Sequence, residues 1–312
     1  MNKPFAILML SLLIPLGIRG QQLEKETFDP LQGDQGYYLQ IQPLDQDIRA
    51  VLLLLPGFGQ KADNIFSESK LPYVASVNQM LTIALAGGST LFLDQEVIQN
   101  IHRAMRDIIE KHPQTQKVPW IIGGFSAGGT LALRYAEYSR EANHSCPVHI
   151  QGVFAVDAPV DLRDLWNYFE REIDKNFAAP GVNEARFVID LMRKELGEPQ
   201  DNAAAYQQLS PFDMQRPSGN EKFLQDLPVR VYHDVDIAWQ LKNRRRGVRD
   251  NNYLCSSEMI NRLLLMGNEK AEFIQASYSG YRSNGQRHPH SWSIVDEVAC
   301  IQWIKGLLET SP

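Results

Sequence analysis

Ser126 stands at the centre of Gly123-Gly124-Phe125-Ser126-Ala127-Gly128-Gly129, with the spacing Gly-x-Ser-x-Gly. The residues before it, Trp120-Ile121-Ile122, are apolar and largely β-branched, as in a short strand covered on both faces. The residues after it, including Leu131, Leu133, Tyr135 and Ala136, read as a helix. A strand that becomes a helix within one residue strains the backbone there and draws the positions two away so close that a Cβ would clash. Glycine removes that clash. The hydroxyl is then lifted clear of the sheet, and the N–H of Ala127, at the positive end of the helix, faces the place where charge develops on a carbonyl oxygen under attack. This is the chemistry of acyl transfer. A glycine-rich turn of this kind can also cradle a phosphate, but no Lys follows at P-loop spacing and no Gly-x-Gly-x-x-Gly opens the helix.

A serine hydroxyl is a poor nucleophile at neutral pH and needs an imidazole to take its proton and a carboxylate to fix the imidazole tautomer. Of seven histidines, His288 and His290 share one loop, between the expected strand Ala271–Ala276 and the closing helix. Carboxylates follow two expected strands: Asp157 and Asp161 after His149–Val156, and Asp234 and Asp236 after Val229–His233. Asp250 lies further on. Two histidines with Asp234 or Asp236 would suit zinc, yet no His-Glu-x-x-His or other ligand cluster accompanies them.

Gly-Phe-Ser-Ala-Gly-Gly after an apolar strand resembles the nucleophile elbow of the α/β-hydrolase superfamily, and the likeness runs from about Tyr37 to the C-terminus. The resemblance implies a mostly parallel central sheet flanked by helices, with the chain order nucleophile, acid, histidine. It makes Ser126 the nucleophile and His290 the base, since His290-Ser291-Trp292 matches the family's His-x-Trp. It favours Asp236 as the acid, a residue or two beyond the usual His-Gly-like strand end, with Asp234 in the glycine position as a turn or helix cap. Asp234, Asp250, Asp157 and Asp161 remain the alternatives. The second oxyanion donor, beside Ala127, becomes the main-chain amide of Phe58 in Pro56-Gly57-Phe58-Gly59, where many relatives carry His-Gly. The implied activity is that of a serine esterase that cleaves a carboxylic ester through an acyl-enzyme and needs no cofactor or metal. A serine peptidase with the same triad and a non-catalytic binding module of the same fold are the alternatives.

The elements that must position these residues follow in order. Tyr37–Gln42 and Ala50–Leu55 read as strands, Leu71–Gln79 as a helix, Leu81–Ala86 as a strand and Asp94–Lys111 as an amphipathic helix, on which His102 and His112 are expected to be solvated. Met259–Met266 and Ser293–Leu308 complete the helices. Between the strands ending at Val156 and beginning at Val229, residues 161–227 exceed a simple crossover and are expected to form a helical cap. Its apolar Leu162, Leu165, Trp166, Phe169 and Ile173, then Phe187, Val188, Leu191, Met192 and Leu196, either line a pocket or pack the cap onto the core. Lys242-Asn243-Arg244-Arg245-Arg246 has the look of a binding patch but reads first as a solvated charged surface.

With 312 residues, 44% hydrophobic and 22% charged, the chain has the composition of one large globular domain with an insertion. A formal net charge of -6 gives no overall basic field for nucleic acid. Lys3 and the apolar run from Phe5 to Ile18 read as a signal peptide over residues 1–20, cleaved after Gly20, leaving residues 21–312 as a secreted or periplasmic domain. The run is too short for an ordinary transmembrane span, so no stable membrane insertion is expected after its removal. Three widely spaced cysteines, Cys146, Cys255 and Cys300, allow at most one disulfide. The expected partner is a small-molecule ester; the sequence is silent on oligomeric state.

Overall fold

The computed structural model describes residues 20–309 except 46, 88, 89 and 143. The signal segment therefore lies outside the described residues, save for Gly20. The strands are β1 (Leu23–Thr27), β2 (Tyr37–Ile41), β3 (Ala50–Leu55), β4 (Met80–Leu85), β5 (Trp120–Phe125), β6 (Ile150–Val156), β7 (Val229–Asp234) and β8 (Ala271–Ala276). They form one sheet in the order β1-β2-β4-β3-β5-β6-β7-β8. β1 and β2, and β2 and β4, pair antiparallel, and every later pair is parallel. The expected fold class, a mostly parallel sheet flanked by helices, is the observed one.

Ten α-helices accompany this sheet among the described residues: α1 (Ala62–Glu68), α2 (Leu71–Val77), α3 (Gln95–Lys111), α4 (Ala127–Tyr138), α5 (Leu162–Lys175), α6 (Ala179–Leu196), α7 (Ala203–Leu209), α8 (Ile237–Arg244), α9 (Tyr253–Leu265) and α10 (Glu297–Glu309). β3 shows why helices lie on both faces. Side chains alternate along a strand, so Val51, Leu53 and Leu55 join the core beneath α3, α4 and α9, while Ala50, Leu52 and Leu54 join the one beneath α1, α2 and α10. Every β3 residue is buried, and each such leucine contributes about 1.5–3 kcal/mol relative to an exposed one.

The differences from expectation have local causes. β1 is an edge strand in which Glu24 and Glu26 are half-buried and the other residues exposed, so it lacks the apolar run that marks β3. The closing helix begins at Glu297, after a 3₁₀ turn at Trp292–Ile294. His102 is buried rather than solvated, because it shares a helix face with Ile98 and Met105 and packs edge-on to Tyr135 at 5.8 Å. His112 is half-buried, with a ring nitrogen 3.2 Å from Gln40 Oε1. All three cysteines are free thiols.

Residues 161–227 carry α5, α6 and α7 between β6 and β7. These helices enclose a core of their own: Trp166 packs edge-on to Tyr206 at 6.4 Å, among Leu162, Val188 and Met192. Phe187 instead is 60% exposed, with its ring 6.0 Å from that of Phe58.

At the β5–α4 turn, a Cβ on Gly124 would lie 2.1 Å from the Gly128 carbonyl oxygen, and one on Gly128 would lie 2.3 Å from the carbonyl oxygens of both Leu55 and Pro56. Backbone is thus packed directly on backbone. Gly124→Ala is expected to cost roughly 1–3 kcal/mol or more in chemical denaturation. Gly306→Ala, inside α10 with open space around the added methyl, is expected to gain about 0.5–1 kcal/mol. Equal effects at the two positions would contradict the close approach.

Candidate active site

Ser126 separates β5 from α4 and has φ 53° and ψ -126°. An L-residue is strained in this region, and the surroundings hold it there. Its N–H donates to Val156 O at 2.9 Å, and its carbonyl oxygen accepts from the N–H groups of Gly129 and Thr130. The side chain is left pointing at His290, whose Nε2 lies 3.0 Å from Ser126 Oγ. The other ring nitrogen, Nδ1, lies 2.6 Å from Asp157 Oδ2. With the imidazole proton on Nδ1 donating to the carboxylate, Nε2 is free to accept from the serine hydroxyl. Phe125 braces the ring from the side, with centroids 4.5 Å apart.

Asp157 is the first residue beyond β6. It also has a left-handed backbone, φ 44°, fixed by its N–H donating to Tyr232 O at 2.8 Å and by Asn252 Nδ2 donating to its carbonyl oxygen at 2.8 Å. Its second carboxylate oxygen accepts from His233 Nδ1 at 2.7 Å. His233 is 1% exposed and is the penultimate residue of β7. Its Nε2 has no hydrogen-bond partner among the described residues, so a second ring proton would be buried without an acceptor and the neutral imidazole fits this site. Burial alone would raise the Asp157 pKa; His290 and then His233 outweigh it and hold the carboxyl well below the usual carboxylate range.

Asp236 is not the residue that meets His290. Its Oδ1 accepts the N–H of Trp239 and caps α8, and its Oδ2 accepts from Arg287 at 2.9 Å. Asp234 accepts the N–H groups of Tyr278 and Gly280 and also meets Arg287 at 2.9 Å. Both acids at the end of β7 therefore tie down the loop that carries His290. Asp161 caps α5 and accepts the N–H of Met214. Asp250 pairs with Arg171 and Lys175. The sequence signal for Asp157 was its place at the carboxyl end of the strand beside β5; family spacing drew the expectation to β7 instead.

Ser126, Asp157 and His290 open onto a cavity of about 250 Å³ lined in part by α5 and α6. Leu165, Tyr168 and Phe169 of α5 line it, whereas Trp166 faces the cap core. The charged run 242–246 is solvated only in part: Lys242, Asn243 and Arg245 are exposed, whereas Arg244 and Arg246 line the same cavity, since α8 ends beside it. A second cavity, about 150 Å³, lies beyond β3 and β4 and, among the described residues, is lined by no serine, cysteine or histidine.

His288, two residues before His290, also lines the main cavity. Burial first, then His290, Arg282 and Arg244, push its pKa down to about 3. The unfolded chain takes up this proton near the ordinary imidazole value of about 6.5, where the folded chain does not. The stability contributed by neutral His288 is therefore complete above that value and lost as pH falls from there towards the folded value. Thermal unfolding between pH 7.5 and 5 is expected to show a smaller fall in Tm for His288→Gln than for the parent chain. Equal slopes would contradict the assignment.

By sequence, no family model and no curated protein matches the chain. By structure, esterase B from Lactobacillus rhamnosis superposes with a TM-score of 0.56 at 12% identity, covering 92% of this chain and 86% of that one. The fluorophosphonate-binding serine hydrolase F of Staphylococcus aureus gives 0.54 at 12% identity, covering 92% and 98%. Carboxyl esterase 2 from the fungus Tuber melanosporum gives 0.53 at 14% identity, covering 95% and 85%. The chain has the α/β-hydrolase fold, and esterases are among its structural neighbours.

Proposed function

We propose that this α/β-hydrolase-fold protein is a serine hydrolase that cleaves a carboxylic ester through an acyl-enzyme. The observation that carries the reading is the hydrogen-bonded chain Ser126–His290–Asp157, with links of 3.0 and 2.6 Å, opening onto a cavity. Ser126 Oγ attacks the ester carbonyl carbon while its proton passes to His290 Nε2, and Asp157 stabilises the imidazolium that forms. The tetrahedral intermediate collapses as the C–O bond to the alcohol breaks, and the alcohol leaves with the proton from His290. Water then attacks the acyl carbon, giving its proton to His290. Collapse releases the carboxylic acid and returns the proton to Ser126.

Negative charge on the carbonyl oxygen is met by the main-chain N–H groups of Ala127 and Phe58. Ala127 is the first residue of α4, and an N–H in a first helical turn has no partner within the helix. Support for Phe58 comes from the packing of Gly128 on the Leu55 and Pro56 carbonyls, which draws this loop against the start of α4. The esterases among the structural neighbours support an ester as the substrate.

A fluorophosphonate probe is expected to label Ser126, and Ser126→Ala to abolish both labelling and ester turnover. Asp157→Asn is expected to lower kcat by about 10⁴, because the imidazole loses the acceptor that fixes its tautomer. Asp236→Asn should keep turnover within about tenfold of the parent, since that side chain acts only through Arg287 and α8. Labelling at another residue, or the reverse order of the two aspartates, would overturn the reading. A matched ester and amide panel separates an esterase from a peptidase.

We further propose export, supported by Lys3 and the apolar run Phe5–Ile18. Among the described residues, no helix is long and apolar enough to cross a membrane. The extracytoplasmic form is expected to begin at Gln21 by N-terminal mass spectrometry; a full-length chain confined to the cytoplasm would contradict export.

A further inference from the structure

The cavity that holds Ser126 is not an apolar acyl pocket. Arg244, Arg246 and Arg282 line it, together with Gln240, Asn251 and Asn252. The charges of these arginines are not equally balanced. Arg246 meets the buried Glu172 at 3.2 Å, and Arg282 reaches Glu68 at 3.8 Å. Arg244 meets no carboxylate within ion-pair distance among the described residues; its guanidinium donates to His288 Nε2 at 2.9 Å and lies 5.8 Å from the Trp239 ring. That imidazole is neutral near pH 7, so it accepts a hydrogen bond without balancing the charge. Of the carboxylates on the lining, Asp157 is taken up by His290 and His233, and Asp250 by Arg171 and Lys175. Glu184 remains, and it is exposed to solvent.

We propose that Arg244 is a specificity-determining residue that binds a carboxylate on the substrate, so that the preferred ester is anionic, carrying a free carboxylate a few atoms from the ester bond. The inference rests on the hydrolase reading and adds its substrate class. The geometry is that of a short relay: Arg244 is bonded to His288, His288 Nδ1 donates to the His290 carbonyl oxygen at 3.0 Å, and His290 is bonded to Ser126. A guanidinium offers two parallel donors that match a carboxylate, and here it stands within the same small cavity as the hydroxyl. Burial first, and then the neighbouring Arg246, lower the pKa of Arg244 by more than Tyr168, Glu172 and Glu184 raise it. The cavity thus leaves this cation without enough counter-charge, and a bound carboxylate would supply it.

The test compares kcat/KM for two charged esters with their uncharged counterparts. Monomethyl glutarate against methyl pentanoate places the anion on the acyl side, and 4-acetoxybutanoate against butyl acetate places it on the alcohol side, with hydrolysis followed by proton NMR. One of the two charged esters is expected to be preferred over its counterpart by roughly 10- to 100-fold, the scale of a charge-assisted contact to a buried site. Arg244→Gln should collapse that ratio, Arg244→Lys should restore part of it, and Arg245→Gln, at an exposed position off the cavity, should leave it unchanged. A ratio near one for both pairs, or a ratio unaffected by Arg244→Gln, overturns the inference while fluorophosphonate labelling of Ser126 leaves the hydrolase reading standing. Calorimetric titration with glutarate reads the same site without turnover. Binding that Arg244→Gln abolishes, in a protein that neither labels nor hydrolyses, would retain the anion site and refute the hydrolase; no binding and no preference refutes the site.

Discussion

The candidate site depends on one carboxylate held between two imidazoles. Asp157 accepts from His290 on one oxygen and from His233 on the other, and three strands converge on it as a result: β6 presents the acid, β7 presents His233, and the loop after β8 presents His290. A carboxylate removed from water loses hydration that nothing apolar can replace. Two ring N–H groups replace it here, one on each oxygen. The second histidine also restricts rotation of the carboxylate, so the plane in which His290 must lie is fixed from behind.

The same economy of side chains explains why the acids after β7 do something else. Asp234 and Asp236 converge on Arg287, and Asp234 also accepts two main-chain N–H groups from the loop after β8. That loop spans more than a dozen residues before α10 and needs fixed points to hold His290 in place. The residues at the end of β7 provide those points, while the end of β6, one strand nearer to Ser126, provides the acid. Strained backbone marks both ends of the arrangement, since Ser126 and Asp157 each have positive φ and each is pinned through its own main-chain groups.

Much of this was legible in the sequence, and the failures have a common form. Buried parallel strands such as Ala50–Leu55 and Trp120–Phe125 announce themselves by unbroken apolar runs, and glycines packed backbone to backbone leave the Gly124-x-Ser126-x-Gly128 spacing. His290 could be reached because it precedes Trp292 in the last loop. The acid could not be settled by spacing, because Asp157 and Asp236 both follow strands at the same edge of the sheet, and only the three-dimensional course of the β8 loop decides which faces His290. The charged run was legible only in part for a related reason, since Lys242, Asn243 and Arg245 are exposed while Arg244 and Arg246 line the cavity. Composition describes a charged segment, but whether it faces water depends on where α8 ends, and α8 ends beside the cavity.

One further consequence concerns how such a protein can change. The helical insertion follows Asp161, four residues after Asp157, and leads back to the sheet through β7, whose last two residues are His233 and Asp234. Both roots of the insertion are therefore continuous with the carboxylate and its supporting imidazole. A cap replaced by recombination inherits new entry and exit angles at those roots, and a small twist there is delivered to Asp157 rather than absorbed by an uninvolved loop. In this arrangement the cap is poorly modular: graft boundaries that keep Asp157 to Asp161 and the β7 strand from the recipient preserve the site, whereas boundaries drawn at the strand ends themselves would exchange the acid's footing along with the lid.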